Sequence, residues 1–237
     1  MNRTRRTAVV AGVFFVIAAV AAIAAKLLWI PVLGEADYVL GAGEDGRVLL
    51  GVFVELLTAA AVVGTGVALY PVIRRQSEAM ALGYAAGRVL EAVTILVGLA
   101  AVLAIVTLRQ DNAGGDDVDA LVPVQDSLVA LHDAMFLLGP GLIIGVNSLL
   151  LASVMYRSGL VPRWIAVVGL VGGPLVLASS TAVLFGAYEQ VSATAGLFAF
   201  PVFLWEMSLA AYLIAKGFKP SPVDVRPDGR HGALLPA

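Results

Sequence analysis

The chain of 237 residues contains no cysteine. Disulfides, thiolate metal sites and cysteine nucleophiles are thereby excluded, and cysteine usage says nothing about the redox compartment. Charge is the second scarcity. Only 14% of the residues are Asp, Glu, Lys or Arg, and 60% are hydrophobic, whereas a soluble domain carries about 25% charged residues. So few charges cannot clothe a water-exposed surface. Histidine is the third scarcity, with two in the chain and only His132 inside an apolar stretch. A haem held between two membrane histidines is therefore excluded. Met135, three residues further along the same helix, cannot reach the opposite face of a haem from His132. The formal net charge of −2 gives no reason to expect a nucleic-acid partner. A phosphate loop, a Gly-x-Ser-x-Gly elbow and a His-Glu-x-x-His zinc helix are all missing, so no cofactor is expected.

What the chain does have is a series of apolar runs of about 20 residues, the length that crosses a hydrocarbon core as a helix. Six are expected, over 7–29, 47–72, 82–108, 127–156, 164–184 and 195–216. Strand-like alternation is absent. The fold class is therefore all-α: a polytopic membrane helical bundle, one domain over residues 1–217. The first run has a rival reading as a signal peptide, since "NRTRR" precedes it and "AIAAK" offers small residues for cleavage. The 19 residues of 7–25 are long for such a segment, and a retained span is expected. The proline-rich stretch 218–237 reads as a disordered cytoplasmic tail. The acidic loop 111–119 lacks the ligand spacing of a calcium loop and reads as solvated. A shift of about 115 residues lays span two over span five and Glu91 over Glu206, as in an inverted repeat. The identity is slight, and chance similarity between apolar sequences is the preferred explanation.

Basic residues set the orientation. Arg3, Arg5 and Arg6 precede span one, Arg74 and Arg75 follow span two, Arg157 and Arg163 flank the turn after span four, and Lys216 and Lys219 follow span six. All fall on one side, which should be the cytoplasm, with both termini there and the plasma membrane as the location.

The spans also hold charges. At about 1.5 Å of rise per residue, Arg88 lies roughly 9 Å inside span three and Glu91 one turn deeper. Glu206 lies at a similar depth in span six. These three form a candidate internal polar site. Lys26, Glu55, His132 and Asp133 lie nearer the outer surface and form a candidate outer polar site, while Asn147 sits in the inner half of span four. A charge at the bilayer centre costs about 3 kcal/mol on insertion scales, so such side chains face the bundle interior and find partners. Arg88 and Glu91, at i and i+3, pair locally, and Glu206 is the best partner on another helix. Arg88 is read as the anchor for an anionic group, with Glu91 and Glu206 setting its charge. Four acids stand against two bases, so the surplus must hold a proton, reach water or bind a cation. The competing explanation for each polar residue is glue between helices, worth about 1 kcal/mol or less per contact. Gly141 and Gly145, and Gly169 and Gly173, permit close helix contact, and Pro140 permits a kink.

Binding or movement of a small solute, lipid or ion is the first functional expectation. The alternatives are an enzyme acting on a lipid or isoprenoid through His132 and Asp133, and a non-catalytic scaffold. Glu55, His132 and Asp133 would hold a metal only if spans two and four touched, and one histidine with two acids is a weak set, so no resident metal is expected. The expected partners are the lipid bilayer and a small-molecule, lipid or cation ligand; the sequence leaves the oligomeric state open.

The segments "GRVLEAV", "LHDAMFLLG", "YRSGLVPRWIAVVGLVGG" and "PVFLWEMSLAAYLIAKGF" together resemble the family called domain of unknown function 4386, over roughly residues 7–219. The resemblance implies a six-helix bacterial or archaeal membrane protein. It places the family pattern on Arg88, Glu91, His132, Asp133 and Glu206, and implies no activity.

Overall fold

The computed structural model describes residues 3–34, 38–40, 44–111 and 120–220. Long apolar stretches away from water satisfy their backbone polar groups internally, and these do so as helix. The order is α1 (Arg3–Gly34), a 3-10 turn (Tyr38–Leu40), α2 (Asp45–Ile73), α3 (Glu78–Asp111), α4 (Leu121–Phe136), a π-helical stretch (Leu137–Ile143), α5 (Ile144–Ser158), α6 (Arg163–Leu184) and α7 (Ala193–Ala215). α4, the π stretch and α5 run on as one rod, so six helices are long and apolar enough to cross a membrane. They coincide with the six expected spans, and no strand occurs among the described residues. Large apolar side chains such as Val20, Val67, Leu82, Val171 and Leu197 face outward. Lipid tolerates such a surface; water would drive it to aggregate.

The rods form a ring in chain order: each packs on its sequence neighbours, and α7 closes onto α1. Local chemistry sets the turns. α5 stops at Gly159, whose φ of +66° suits only a residue without a Cβ, and Pro162 precedes α6. The Ser192 side chain accepts the Ala195 N–H at 3.2 Å and caps α7. Arg5 closes the ring. Its guanidinium donates to the carbonyls of Leu213 at 2.7 Å and Ile214 at 2.6 Å, satisfying the exposed end of α7 where the helix dipole is negative. Both ends of the bundle therefore meet on one face, the basic end. Phe218 packs against the core there and the Lys219 N–H donates to Leu160 O at 2.8 Å. Phe218 and Lys219 are thus docked; the expected tail from 221 and the acidic loop 112–119 lie outside the described residues.

Two apolar cores stack along the ring. The core at the basic end draws on α1, α2, α3, α5, α6 and α7, with Phe15, Tyr84, Met155, Trp205 and Leu213 at its centre. The core at the opposite end draws on α1, the 3-10 turn, α2 and α3. α7 contributes Val202, Trp205, Leu209, Ala210 and Leu213 to the interior, and nothing from 193–201. Towards the end opposite the basic one, the first turns of α7 therefore stand apart from the packed helices, while α6 stays against the π stretch with Val176, Ser179 and Ser180 buried.

Candidate functional site

Arg88 sits between the two cores, 4% exposed, and its three nitrogens all donate to protein groups. Nη1 lies 3.2 and 3.1 Å from the two oxygens of Glu91, and Nη2 lies 2.5 Å from Oε1 of Glu206 on α7. Nε donates to the Tyr84 hydroxyl at 3.1 Å. That hydroxyl lies 3.5 Å from Thr65 Oγ1, which donates to the Val62 carbonyl at 2.7 Å. The rings of Phe15 and Tyr84 each lie 5.4 Å from the guanidinium carbon. Asn147 on α5 donates its amide to Glu91 Oε2 at 2.9 Å. The bonding is charge-assisted, with Nη1 shared over both oxygens of Glu91 and Nη2 given to a second acid, so the guanidinium is satisfied away from water. One arginine thus serves two carboxylates, and it faces protein acids on every nitrogen-bearing edge except where Tyr84 takes its place.

Glycines make the room. A Cβ on Gly87 would lie 2.0 Å from Asn147 Oδ1, and one on Gly66 would lie 3.2 Å from the Cβ of Arg88. Gly87 lets Asn147 reach Glu91, and Gly66 lets α2 lie flat against α3 at the arginine. Gly139 in the π stretch does the same for Thr94, whose hydroxyl would be 1.8 Å from an added Cβ.

Beside this cluster lies a cavity of about 930 Å³, counting its open mouth, with Arg88, Glu91 and Glu206 on its floor. Alanines 18, 19 and 22 on the inner face of α1 leave the space unfilled, and Phe15, Val62 and Phe203 supply apolar wall. A second chamber of about 630 Å³ lies towards the opposite end, against Lys26, Trp29, His132 and Asp133. Ala22, Glu55, Ile95, Phe136 and Pro140 line both chambers. A third space of about 680 Å³, between the π stretch and the ends of α6 and α7, also touches Phe136 and Pro140. The π stretch therefore stands where the three meet. Pro140 lacks a backbone N–H, and a wider helical turn accommodates that loss.

The outer residues are loosely held. Glu55 is 8% exposed, and its one hydrogen-bond contact is the Thr58 hydroxyl at 3.5 Å. His132 is buried edge-on against Trp29, 5.4 Å between ring centres, and its Nδ1 lies 3.0 Å from Oδ1 of the exposed Asp133. Lys26 is exposed with its ammonium 5.6 Å from the centre of the Phe136 ring. α3 lies between α2 and α4, and among the described residues no three His, Asp or Glu side chains stand close enough together to hold a metal ion.

Residues 10–217 match the model of a family described as a domain of unknown function, DUF4386. The chain belongs to that family. No curated protein and no solved structure matches it. DUF4386 carries no activity in its description, so the site must be read from its geometry. Six apolar helices make this DUF4386 protein a multi-pass membrane protein.

The structure brings Arg88, Glu91 and Glu206 into direct contact, and joins Asn147 to them. Lys26, Glu55, His132 and Asp133 share the walls of one chamber without forming a bonded cluster. Sequence reasoning passed over Tyr84, Thr65 and the glycines 66 and 87. Tyr84 carried a signal, since it lies four residues before Arg88 on the same helix face. Thr65 and Gly66 carried none that composition could single out.

Proposed function

We propose that this is a plasma-membrane protein, with both termini on the cytoplasmic side, that binds a small ligand in its internal cavity and passes it to or from the outer face. The supporting observation is the wall that the two chambers share. One reaches Lys26 and Asp133 near the end opposite the basic one, the other ends on Arg88 and Glu206, and Glu55 lines both. A scaffold has no use for such space, because unfilled interior volume sacrifices packing contacts. The grouping of arginines and lysines at one end supports the orientation.

The test exploits the missing cysteine. Thr58→Cys and Ala22→Cys should react with a water-soluble, membrane-impermeant thiol reagent added outside, while Val67→Cys, on the outward apolar surface, should not. Glu189→Cys should label in intact cells, and Ser77→Cys only after permeabilisation. No reaction at Thr58→Cys or Ala22→Cys would mean a sealed cavity and would end the binding reading. Labelling of Ser77→Cys alone in intact cells would reverse the orientation.

The His132–Asp133 contact favours a second reading, an enzyme acting on a lipid or isoprenoid, because a carboxylate that orients an imidazole suits it to proton transfer. That reading requires His132→Ala to abolish turnover of a lipid substrate while cavity access stays unchanged.

A further inference from the structure

Four ionisable side chains line the deep chamber: Glu55, Arg88, Glu91 and Glu206. Three are acids and one is a base. Arg88 is taken up by Glu91, Glu206 and Tyr84, so an incoming anion would have to displace a carboxylate already bound at close range. Glu91 holds bonds from Arg88 and Asn147, and Glu206 holds Arg88 at 2.5 Å. Glu55 is the remaining acid. It is 8% exposed, and among the described residues it has no basic partner and its single hydrogen-bond contact is Thr58 at 3.5 Å. It also stands at the neck where the two chambers meet. A carboxylate in such a wall is neutralised by whatever cation reaches it.

Building on the cavity reading above, we propose that the ligand is a hydrophobic organic cation, a protonated amine or quaternary ammonium with an apolar body, and that Glu55 is its counter-ion. The walls argue for an organic cation over an inorganic one. Calcium and magnesium require about six or more oxygen ligands, whereas Glu91 and Glu206 are held by Arg88, and beyond Glu55 and the hydroxyls of Thr58 and Thr65 the wall is mainly apolar, with Phe15, Ala18, Val62, Ile95 and Phe203. Phe203 supplies an aromatic ring to the same chamber, while the ring of Phe136 is already covered by the Lys26 ammonium at 5.6 Å. An ammonium and an aromatic face attract each other most where water is excluded.

Tetraphenylphosphonium and tetraphenylborate make the test, being ions of nearly equal size and shape and opposite charge. Binding of each is measured on the full chain in lipid nanodiscs, with empty discs subtracting partition into lipid. Wild type should bind the phosphonium saturably and more tightly than the borate. Glu55→Gln should weaken phosphonium binding by about tenfold or more, the value of a charge-assisted contact, while Glu55→Asp keeps the preference. Thermal unfolding of Glu55→Gln should match or exceed wild type, which shows that the site and not the fold has changed. Borate binding as tight as phosphonium binding, or wild-type phosphonium affinity in Glu55→Gln, overturns the proposal and leaves the cavity reading in place. Absence of saturable binding of both ions also overturns it, and labelling of Thr58→Cys then decides separately whether the cavity reading falls too.

Discussion

Glu91 and Glu55 are buried to a similar degree, at 3% and 8% exposed, and are treated in opposite ways. Glu91 receives a forked pair of contacts from Arg88 and an amide from Asn147, with Gly87 shaped to admit that amide. Glu55 has one long contact with a threonine and an open chamber on either side of it. Burial of a charge inside a membrane protein is therefore not in itself the mark of a site. The number of partners separates the two regions: the Arg88 cluster ties α3 to α5 and α7, whereas Glu55 meets only Thr58 among the described residues and lines both chambers.

The sharpest way to break this contrast is to remove the arginine. Arg88→Ala strands Glu91 and Glu206 and should lower stability by about 3–5 kcal/mol, read as thermal or denaturant unfolding in detergent. Adding Glu206→Gln should restore much of the loss. A double mutant whose cost equals the sum of the two single costs would show the pair to be uncoupled.

Gly87→Ala comes next. Its Cβ would meet Asn147 Oδ1, and displacing that amide from Glu91 should cost about 1–3 kcal/mol. In an Asn147→Ala background the same change should cost less than about 0.5 kcal/mol, because the clash has gone. An undiminished cost there would locate the strain elsewhere.

Glu55→Gln should be close to neutral, or stabilising by up to about 1 kcal/mol, since it removes a buried charge that has no base. A loss comparable to that of Arg88→Ala would place Glu55 among the structural residues and erase the distinction drawn here. The smallest effect is expected at Asp133→Asn, where the side chain is 57% exposed, and the change should stay within about 0.5 kcal/mol. A larger loss would show that the contact with His132 holds α4 in place.

Much of the architecture was legible in the sequence. Six apolar runs of membrane length have only one backbone solution in lipid, and the cost of a charge in hydrocarbon singled out Arg88, Glu91, Glu206, Glu55 and His132 before any contact was known. The local Arg88–Glu91 pair follows from helical spacing alone. Glu206, being at a similar depth, was a sound partner on energetic grounds, because a buried arginine seeks acid.

What the sequence could not decide is which acids are satisfied. That depends on the closure of α7 against α1, which brings Glu206 to an arginine 118 positions earlier in the chain, and on α5 lying where Gly87 admits Asn147. Those are distances between helices, and helical periodicity carries no information about them. The cavity is likewise a product of tertiary structure. Alanines 18, 19 and 22 read in the sequence as ordinary helix formers, and small residues serve close packing as readily as they leave space. Only the standing apart of the first turns of α7 from the helices opposite, with the π turn at Pro140 nearby, turned those missing side chains into volume and left Glu55 beside it with no contact but Thr58 among the described residues.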